Sequence, residues 1–274
     1  MPAYRHFPVS MLKRRRLNMI LAIDLGNSNV TFGCLDEETG EIFFEERIHT
    51  DFQFTSVEYA VQIKTIMDIR GVKADDITGC ILSSSVPPVT RQVRNANEMI
   101  LKKPTIVVGP GIKTGVDIKI DDPAALGPDL LVGAVAGMNE YGSPLILIDM
   151  GTATTISVID DQKRFMGGMI MPGVKVSVKG LTANAAHLPD IAIEMPGKLI
   201  NGTTVGAMQS GIIYGHASGI DGMVERIWND LGYKTAVVAT GGFAKTIIPC
   251  CKTDIVIDSE LLIKGLRILY NKNK

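Results

Sequence analysis

Residues 145–155 read Leu-Ile-Leu-Ile-Asp-Met-Gly-Thr-Ala-Thr-Thr, and this stretch decides how the rest of the chain is interpreted. The short aliphatic run at its start is typical of a buried β-strand. Asp149 stands where that strand would leave the core, and Gly151 permits a turn that brings backbone N–H groups close to a ligand. Hydroxyl side chains follow at Thr152, Thr154 and Thr155.

The same pattern occurs once earlier in the chain, at residues 20–31, which read Ile-Leu-Ala-Ile-Asp-Leu-Gly-Asn-Ser-Asn-Val-Thr. Asp24 and Gly26 take the places of Asp149 and Gly151. Each copy continues into a second apolar stretch and then into an acidic turn, which predicts a β-hairpin in both places. One Asp-x-Gly after a strand fits an ordinary turn equally well. Two copies in matching contexts favour duplicated domains that face a shared cleft.

Both loops resemble the phosphate loops of the actin, Hsp70 and sugar kinase superfamily, whose halves are ribonuclease H-like. Four segments, in this order, are more closely similar to type III pantothenate kinases: Asp-Leu-Gly-Asn-Ser-Asn, Gly-Pro-Asp, Asp-Met-Gly-Thr-Ala-Thr-Thr and Gly-Gly-Met-Ile-Met-Pro-Gly. The resemblance covers residues 19–270. It implies an α/β fold of duplicated ribonuclease H-like (actin-like ATPase) domains with an interdomain nucleotide cleft. It also implies ATP-dependent phosphorylation of pantothenate to 4′-phosphopantothenate, the first step of coenzyme A synthesis, by a homodimer.

Composition limits the classes of function that are open to the chain. Its 274 residues are 46% apolar, which is sufficient for one large domain or two moderate ones. The net charge of −1 supplies no basic field for nucleic acid, and no apolar run reaches the length of a membrane span. The four cysteines lack the spacing of a metal site or a disulfide scaffold. We therefore expect a cytoplasmic protein with a small-molecule substrate, and no binding to nucleic acid or membrane.

The first 18 residues stand outside the repeat. The basic run from Lys13 to Arg16 resembles the start of a signal peptide, but Asp24 ends the following apolar run after about five residues, where a signal core needs ~7–15. We interpret residues 1–18 as a disordered extension, with a basic targeting arm as the alternative. We predict an N-terminal domain over residues 19–129 and a C-terminal domain over residues 130–274.

Hydrophobic periodicity and turn residues predict similar element orders in the two halves, with a loop over residues 109–128 between them. Besides the first hairpin, the predicted strands span residues 41–49, 77–83, 105–108, 145–149, 154–159, 164–170 and 235–239. The predicted helices span residues 56–70, 90–101, 130–141, 174–186, 204–231 and 259–270. Ser56 is available as a helix cap and Gly71 as a stop.

The loop after the first strand would hold the ATP phosphates, because successive backbone N–H groups and hydroxyls suit anionic oxygens. This loop comprises Asp24, Leu25, Gly26, Asn27, Ser28, Asn29, Val30 and Thr31. Asp24 could also hold Mg²⁺ through water, since this ion keeps much of its hydration shell. The alternative is that Asp24 only caps a turn.

The family resemblance assigns Asp149 as the ligand of a monovalent cation, K⁺ or NH₄⁺, and Thr152 as a contact of ATP. It also assigns Asp129, in Gly127-Pro128-Asp129, as the catalytic base. A carboxylate there would accept the proton of a substrate hydroxyl as the hydroxyl attacks the γ-phosphorus. Position alone fits a helix N-cap as well, because such caps are often Asp.

The remaining substrate contacts also follow from the resemblance, and two of them depart from it. Pantothenate would contact Gly127, Pro128, Asp129, Leu130 and Thr204, with Thr204 reached across a dimer interface. The family usually has Arg where this chain has Leu130, and Tyr where it has Ile120. Losing a charge-assisted hydrogen bond costs about 1.5–3 kcal/mol. The alternatives are therefore a kinase of another, less anionic hydroxyl compound, or a nucleotide-binding regulator without turnover.

A further glycine turn, Thr240-Gly241-Gly242, follows a predicted strand. The superfamily resemblance implies that an adenine ring lies against the backbone of this turn. A tight strand-to-helix turn without any ligand explains the same residues equally well.

Overall fold

The computed structural model describes residues 18–274, which form two compact units. The first unit comprises residues 18–113 and 266–274, and the second comprises residues 114–265. This grouping differs from the predicted division between residues 129 and 130. The predicted extension over residues 1–18 lies outside the described residues, except for its last residue.

Contacts at both ends of the second unit account for the difference. Residues 117–118 pair with a strand of the second unit, and Val116 packs against its core. At the end of the chain, Arg267 donates hydrogen bonds to the backbone carbonyls of Glu37 and Glu38 in the first unit. A strand of two residues is too short to show hydrophobic periodicity, and hydrogen bonds to backbone carbonyls do not depend on residue type. The sequence pattern therefore could not assign these segments to a unit.

A five-stranded sheet with the order β3-β2-β1-β4-β5 forms the first unit. Its strands are β1 (Met19–Leu25), β2 (Asn29–Asp36), β3 (Ile42–His49), β4 (Ile77–Ser84) and β5 (Thr105–Val107). Its helices before residue 113 are α1 (Ser56–Ile69) and α2 (Pro87–Leu101). Strands β1 to β3 are antiparallel, whereas β4 pairs with β1, and β5 with β4, in parallel.

Apolar side chains that alternate along β1, and others at helical spacing on α1, form the core of this unit. Every second side chain of β1 joins one buried cluster, together with Tyr59, Ile63 and Met67, which lie one turn apart on α1. Thr55, rather than the predicted Ser56, caps α1. Its hydroxyl accepts the N–H of Glu58 at 3.4 Å while the Glu58 carboxylate accepts the N–H of Thr55 at 2.7 Å.

A six-stranded sheet with the order β11-β10-β7-β8-β9-β6 forms the second unit. Its strands are β6 (Asp117–Ile118), β7 (Leu145–Met150), β8 (Ala153–Ile159), β9 (Arg164–Pro172), β10 (Ala236–Thr240) and β11 (Val256–Ile257). The remaining helices are α3 (Pro128–Tyr141), α4 (Val174–Asn184), α5 (Thr204–Leu231), α6 (Ala244–Ile247) and α7 (Leu261–Asn273). Strands β7, β8 and β9 repeat the antiparallel order of β1, β2 and β3, and β10 and β11 repeat the parallel pairing. The predicted duplicated α/β fold is thus confirmed.

Helix α3 packs closely on its neighbours at two glycine contacts, and four of its seven buried residues are glycine or alanine. A Cβ atom on Gly137 would lie 2.6 Å from Cδ2 of Leu145 in β7. On the facing helix α7, a Cβ atom on Gly265 would overlap the carbonyl oxygen of Val132. The contact at Gly265 is with backbone, which cannot move aside, whereas the contact at Gly137 is with the end of a leucine side chain. Gly265 therefore limits how closely α7 and α3 approach.

A buried polar cluster fixes the C-terminal end of α3. The hydroxyl of Tyr141 donates to Oδ2 of Asp258 at 2.9 Å, and Nζ of Lys264 donates to both oxygens of the same carboxylate. Asp258 is only 6% exposed. Burial, followed by the hydrogen bond to Asp258, raises the pKa of Tyr141 to about 12, so its hydroxyl remains a donor at neutral pH.

We expect Tyr141→Phe to lower the free energy of unfolding by about 1–3 kcal/mol, because a buried carboxylate oxygen loses one of its donors. Urea denaturation measures the change. Tyr233→Phe is a suitable control, since the Tyr233 hydroxyl takes part in no hydrogen bond within residues 18–274. Equal stability of the two variants would contradict a structural role for the cluster.

Candidate active site

In the first unit, Asp24 lies between two hydroxyl residues on neighbouring strands. Its register partners are Thr31 in antiparallel β2 and Ser83 in parallel β4. Directly paired residues project from the same face of a sheet, so the three side chains form a row. The Ser83 hydroxyl is fully buried and makes no hydrogen bond within the described chain. Asp24 itself is half-buried.

The second unit contains the same row around Asp149. Its register partners are Thr155 in antiparallel β8 and Thr240 in parallel β10. The repeat seen in the sequence therefore extends to a hydroxyl on each side of the carboxylate. Strands β4 and β10 lie far along the chain from Asp24 and Asp149, so only the fold reveals Ser83 and Thr240 as their partners.

The turn of the first hairpin is closed by its own backbone and braced from the loop after β3. The N–H of Gly26 donates to the carbonyl of Asn29 at 3.0 Å, so it is already engaged within the hairpin. The Thr50 hydroxyl donates to the Gly26 carbonyl at 2.6 Å, and the Thr50 N–H donates to the Ser28 carbonyl at 3.1 Å. The polar side chains of Asn27 and Ser28 stand exposed at the tip.

The turn of the second hairpin is packed by two glycines from other segments. The N–H of Gly151 donates to the carbonyl of Ala153 at 3.0 Å, which matches the bond made by Gly26. A Cβ atom on Gly173, before α4, would overlap the Thr152 carbonyl oxygen and lie 2.7 Å from that of Gly151. The side chain of Thr152 is exposed at the tip.

Gly241 approaches the same hairpin from β10. Its φ of +92° belongs to the left-handed region, and a Cβ atom there would lie 2.5 Å from Oδ1 of Asp149. The Phe243 N–H also donates to the Met150 carbonyl at 3.3 Å. The structure shows a tight turn at Thr240-Gly241-Gly242, whose backbone packs on Asp149, and the contact of this turn with an adenine ring stays a prediction.

Asp129 and Asp149 both line one small pocket of the second unit, which is open to solvent. Its polar lining consists of Asp129, Asp149, Thr155, Ser157 and Thr240. Its apolar lining consists of Leu130, Gly133, Leu147, Ile148, Leu261 and Leu262. The sequence predicted Asp129, Leu130 and Asp149 as site residues. Ser157, Leu261 and Leu262 were missed, because no motif distinguishes them from core residues. Thr240 was singled out only as part of a glycine turn and not as a neighbour of Asp149.

Asp129 lies in the first turn of α3, where its carboxylate is fixed by the helix itself. The N-cap of α3 is Gly127, so the interpretation of Asp129 as the N-cap is wrong. Oδ1 of Asp129 accepts the N–H of Leu130 at 2.9 Å, the only hydrogen bond of this carboxylate within residues 18–274. A Cβ atom on Gly127 would lie 2.6 Å from that oxygen, so glycine leaves room for the carboxylate to turn back. The helix N-terminus also favours its negative charge.

The two residues that depart from the family pattern are both engaged in apolar packing. Ile120 and Leu130 pack against the same buried cluster, which includes Phe165 and Leu147. Cγ2 of Ile120 lies 3.6 Å from where a Cβ atom on Gly167 would stand. Leu130 also lines the pocket, whereas Ile120 only packs against the cluster.

Of the predicted substrate contacts, Asp129 and Leu130 line this pocket, whereas Gly127, Pro128 and Thr204 are not among its lining residues. Thr204 lies on a different helix from the other four. It is the first residue of α5 and is exposed, and Thr203 caps the helix by accepting the Gly206 N–H at 3.2 Å. Among residues 18–274, no group of three or more His, Cys, Asp or Glu residues is arranged to hold a metal ion. Within the same residues, no helix is both long and apolar enough to cross a membrane.

Gly241→Ala should lower the free energy of unfolding by more than the roughly 1–3 kcal/mol that a strained backbone costs, because its Cβ atom would also collide with Asp149. Urea denaturation measures the loss. Gly215→Ala in α5 is the matched control, since a Cβ atom there meets nothing within 4 Å and should be neutral or stabilising. Equal effects at both positions would show that the close approach of Gly241 to Asp149 is unimportant.

Comparison with known proteins identifies the family. The family model of type III pantothenate kinase matches residues 20–226. A Campylobacter jejuni protein assigned to the Baf family of transcriptional activators is 17% identical, with a TM-score of 0.55 over 92% of this chain and 97% of that one. A ROK family transcriptional regulator, a homolog of the E. coli MLC protein, is 11% identical, with a TM-score of 0.54 over 93% and 78%. Lmo2764 of Listeria monocytogenes, assigned as an N-acetylmannosamine kinase, is 11% identical, with a TM-score of 0.51 over 92% and 98%.

At these identities the solved structures show a common fold, and they carry no statement about activity. The family match spans about three quarters of the chain and includes both hairpins and the Asp129 turn. This chain belongs to the type III pantothenate kinase family.

Proposed function

We propose that this protein is a kinase that transfers the γ-phosphoryl group of ATP to the 4′-hydroxyl of pantothenate, at the start of coenzyme A synthesis. The proposal rests on one observation: Asp129 and Asp149 line the same pocket, in a chain that belongs to this family. Phosphoryl transfer depends chiefly on positioning and on neutralising charge, so a site with one base and bound cations has what the reaction requires.

Asp129 is proposed as the catalytic base. The acceptor oxygen attacks the γ-phosphorus, the bond from that phosphorus to the bridging oxygen breaks, and ADP leaves with the bonding pair. The acceptor proton passes to the Asp129 carboxylate. Its single hydrogen bond, to the Leu130 N–H, orients this carboxylate and leaves acceptor capacity for a substrate hydroxyl. Gly127, Pro128 and Leu130 would contact the acceptor from the same turn.

The first hairpin is proposed to hold the phosphates of ATP. Asn27 and Ser28 expose polar side chains at its tip, and Asp24 offers a carboxylate beside them. Leu25 and Val30 are buried, so they would contribute through the backbone, as would Asn29. Gly26 would permit a close approach of the phosphates, since its N–H is already donated to the Asn29 carbonyl. Mg²⁺, when bound, neutralises phosphate charge, and a single carboxylate with water suits this ion.

A monovalent cation, K⁺ or NH₄⁺, is proposed to bind at Asp149. The oxygens near this turn include the Asp149 carboxylate, and the carbonyls of Gly151 and Thr152 lie beside Gly173. Oxygen donors of low total charge suit a weakly charged cation. The exposed Thr152 side chain is proposed to contact ATP.

A homodimer is proposed on the exposed apolar side chains around Thr204. Ile200 is 85% exposed, Leu199 62% and Val205 43%. Aliphatic side chains grouped at the start of α5 favour burial against another surface. A second copy would bring Thr204 to the acceptor of its partner, as the family resemblance implies. We also propose a cytoplasmic location.

A regulator that binds nucleotide without turnover is the rival function, since Leu130 and Ile120 stand where the family resemblance implies two polar substrate contacts. The presence of Asp24, Asp129 and Asp149 favours the kinase, because a protein without turnover needs no base. The net charge of −1 also offers little attraction to DNA phosphates.

Asp129→Asn should lower kcat by about 10²- to 10⁴-fold, because proton acceptance is lost while shape is kept. ATP binding, measured by calorimetry with Mg²⁺ present, should remain at the wild-type value. Asp24→Asn is the contrasting variant, in which ATP binding itself should weaken. If Asp129→Asn turns over pantothenate at the wild-type rate in an assay of ADP release, Asp129 is not the base.

Replacing K⁺ by Na⁺ should slow the wild-type reaction, because the smaller, more strongly hydrated ion fits the oxygen donors at Asp149 less well. In Asp149→Ala the remaining rate should be insensitive to the exchange. Initial rates at constant ionic strength measure both effects. Full wild-type activity with tetramethylammonium as the sole monovalent cation would refute this role of Asp149.

A further inference from the structure

The carbonyl groups of the first hairpin turn are held by donors from two other segments of the same unit. The Thr50 hydroxyl donates to the Gly26 carbonyl at 2.6 Å, and the Thr50 N–H donates to the Ser28 carbonyl at 3.1 Å. The N–H of Ser85, directly after β4, donates to the Leu25 carbonyl at 3.0 Å. Each of these three carbonyls is thereby fixed in direction.

Fixing the Gly26 carbonyl also fixes the direction of the Asn27 N–H. The two groups belong to one peptide, which is trans, because the cis bond found within residues 18–274 is the one before Pro144. In a trans peptide the C=O and N–H groups point in opposite directions. Gly26 could otherwise turn this peptide at little cost, since glycine has no Cβ atom. Asn27 is exposed, and its N–H donates no hydrogen bond within the described residues.

From these contacts we propose that Thr50 is a positioning residue for ATP. Its hydroxyl holds the peptide between Gly26 and Asn27 so that the Asn27 N–H donates to a phosphate oxygen. A flipped peptide would turn the carbonyl oxygen toward the phosphates, and the two negatively polarised groups would repel. This role of Thr50 rests on the proposed function, in which the first hairpin binds the phosphates of ATP.

The second hairpin has a glycine at the position of Thr50. Thr50 and Gly173 each follow the last paired residue of the third strand of their half, so they occupy equivalent positions. Gly173 has no hydroxyl to donate, and it packs directly beside the carbonyl oxygens of Gly151 and Thr152. An anion is bound by N–H groups and a cation by carbonyl oxygens, so a side-chain donor to the turn carbonyl suits only the first task.

A buried tyrosine holds the segment that carries Thr50. The Tyr59 hydroxyl donates to the Asp51 carbonyl at 2.8 Å and accepts the Asp51 N–H at 3.1 Å. Tyr59 is fully buried on α1, and the ring of Phe54 packs edge-on against its ring, with the centroids 5.4 Å apart. Thr50 is thus attached through Asp51 to the core of the unit, which gives its hydroxyl a fixed place.

Thr50→Val removes the hydroxyl and keeps the size and branching of the side chain. With Mg²⁺ present, the dissociation constant of ATP for the full-length protein should rise by about ten- to a hundredfold, because a hydrogen bond to a charged phosphate loses its alignment. Thr50→Ser keeps the hydroxyl and should restore most of the affinity. Titration calorimetry measures these constants, and urea denaturation shows that each variant is folded under the same conditions.

Two comparisons separate positioning from a general loss of structure. Adenosine lacks phosphates, so Thr50→Val should bind it as the wild type does, whereas a loosened fold would weaken adenosine and ATP alike. Thr65→Val is the matched control, since the Thr65 hydroxyl also donates to a carbonyl, that of Val61, at 2.7 Å on the exposed side of α1. This variant should keep the wild-type affinity for ATP.

A measurement on the wild type decides the question if Thr50→Val does not fold. Inorganic triphosphate with Mg²⁺ should shift the amide proton resonance of Asn27 downfield in the nuclear magnetic resonance spectrum, as a new hydrogen bond to a phosphate oxygen does. An unchanged Asn27 resonance with triphosphate bound would overturn the role of Thr50.

The outcomes distinguish this role from the proposed function. Wild-type affinity of Thr50→Val for ATP, equal weakening of ATP and adenosine, or a Thr50→Ser variant as weak as Thr50→Val would overturn the role of Thr50 and leave the proposed function standing. Wild-type protein that binds no ATP in the presence of Mg²⁺ would overturn the proposed function and the role of Thr50 together.

Discussion

The second unit depends on a backbone contact that only glycine permits, at the turn after β7. Gly241 and Gly173 press against the hairpin tip from two directions, and a side chain at either position would overlap Asp149 or the turn carbonyls. The carboxylate of Asp149 is therefore held by packed main chain, whose freedom is smaller than that of a side chain. A carboxylate that must keep its place beside a reacting group benefits from such support.

Close packing at glycine residues also determines where the second carboxylate, that of Asp129, lies. Helix α3 lies so close to β7 and α7 that glycines replace side chains at the contacts, and its first turn carries Asp129 into the pocket lined by Asp149. The Tyr141–Asp258–Lys264 cluster fixes the other end of this helix. Because α3 is held at both ends, a change far from the pocket can alter the position of Asp129.

The two halves share the same arrangement of strands around an Asp, but they differ in the residues that follow the neighbouring parallel strand. A hydroxyl flanks each Asp on both neighbouring strands, yet the fourth strand continues as Ser84-Ser85 in the first half and as Gly241-Gly242 in the second. The serines carry hydroxyls, with Ser84 and Thr90 oxygens 2.7 Å apart, whereas the glycines permit close packing. Both hairpins expose a polar side chain at the tip, and the second is in addition packed against the backbone of Gly173 and Gly241. This difference agrees with distinct proposed tasks, phosphate binding and cation binding.

Local pattern alone determined the repeat, the hairpins and most helices of this protein, because alternation and helical spacing are properties of neighbouring residues. The family resemblance added Asp129 and Asp149 as candidates, and also Leu130 and Ile120 as departures. Tertiary structure decided what these residues meet. It placed Asp129 beside Asp149, added Thr240 and Leu262 from distant segments, and assigned residues 114–128 to the second unit and 266–274 to the first. Such contacts join residues far apart in the chain, and the charge and shape of a pocket are sums over all of them.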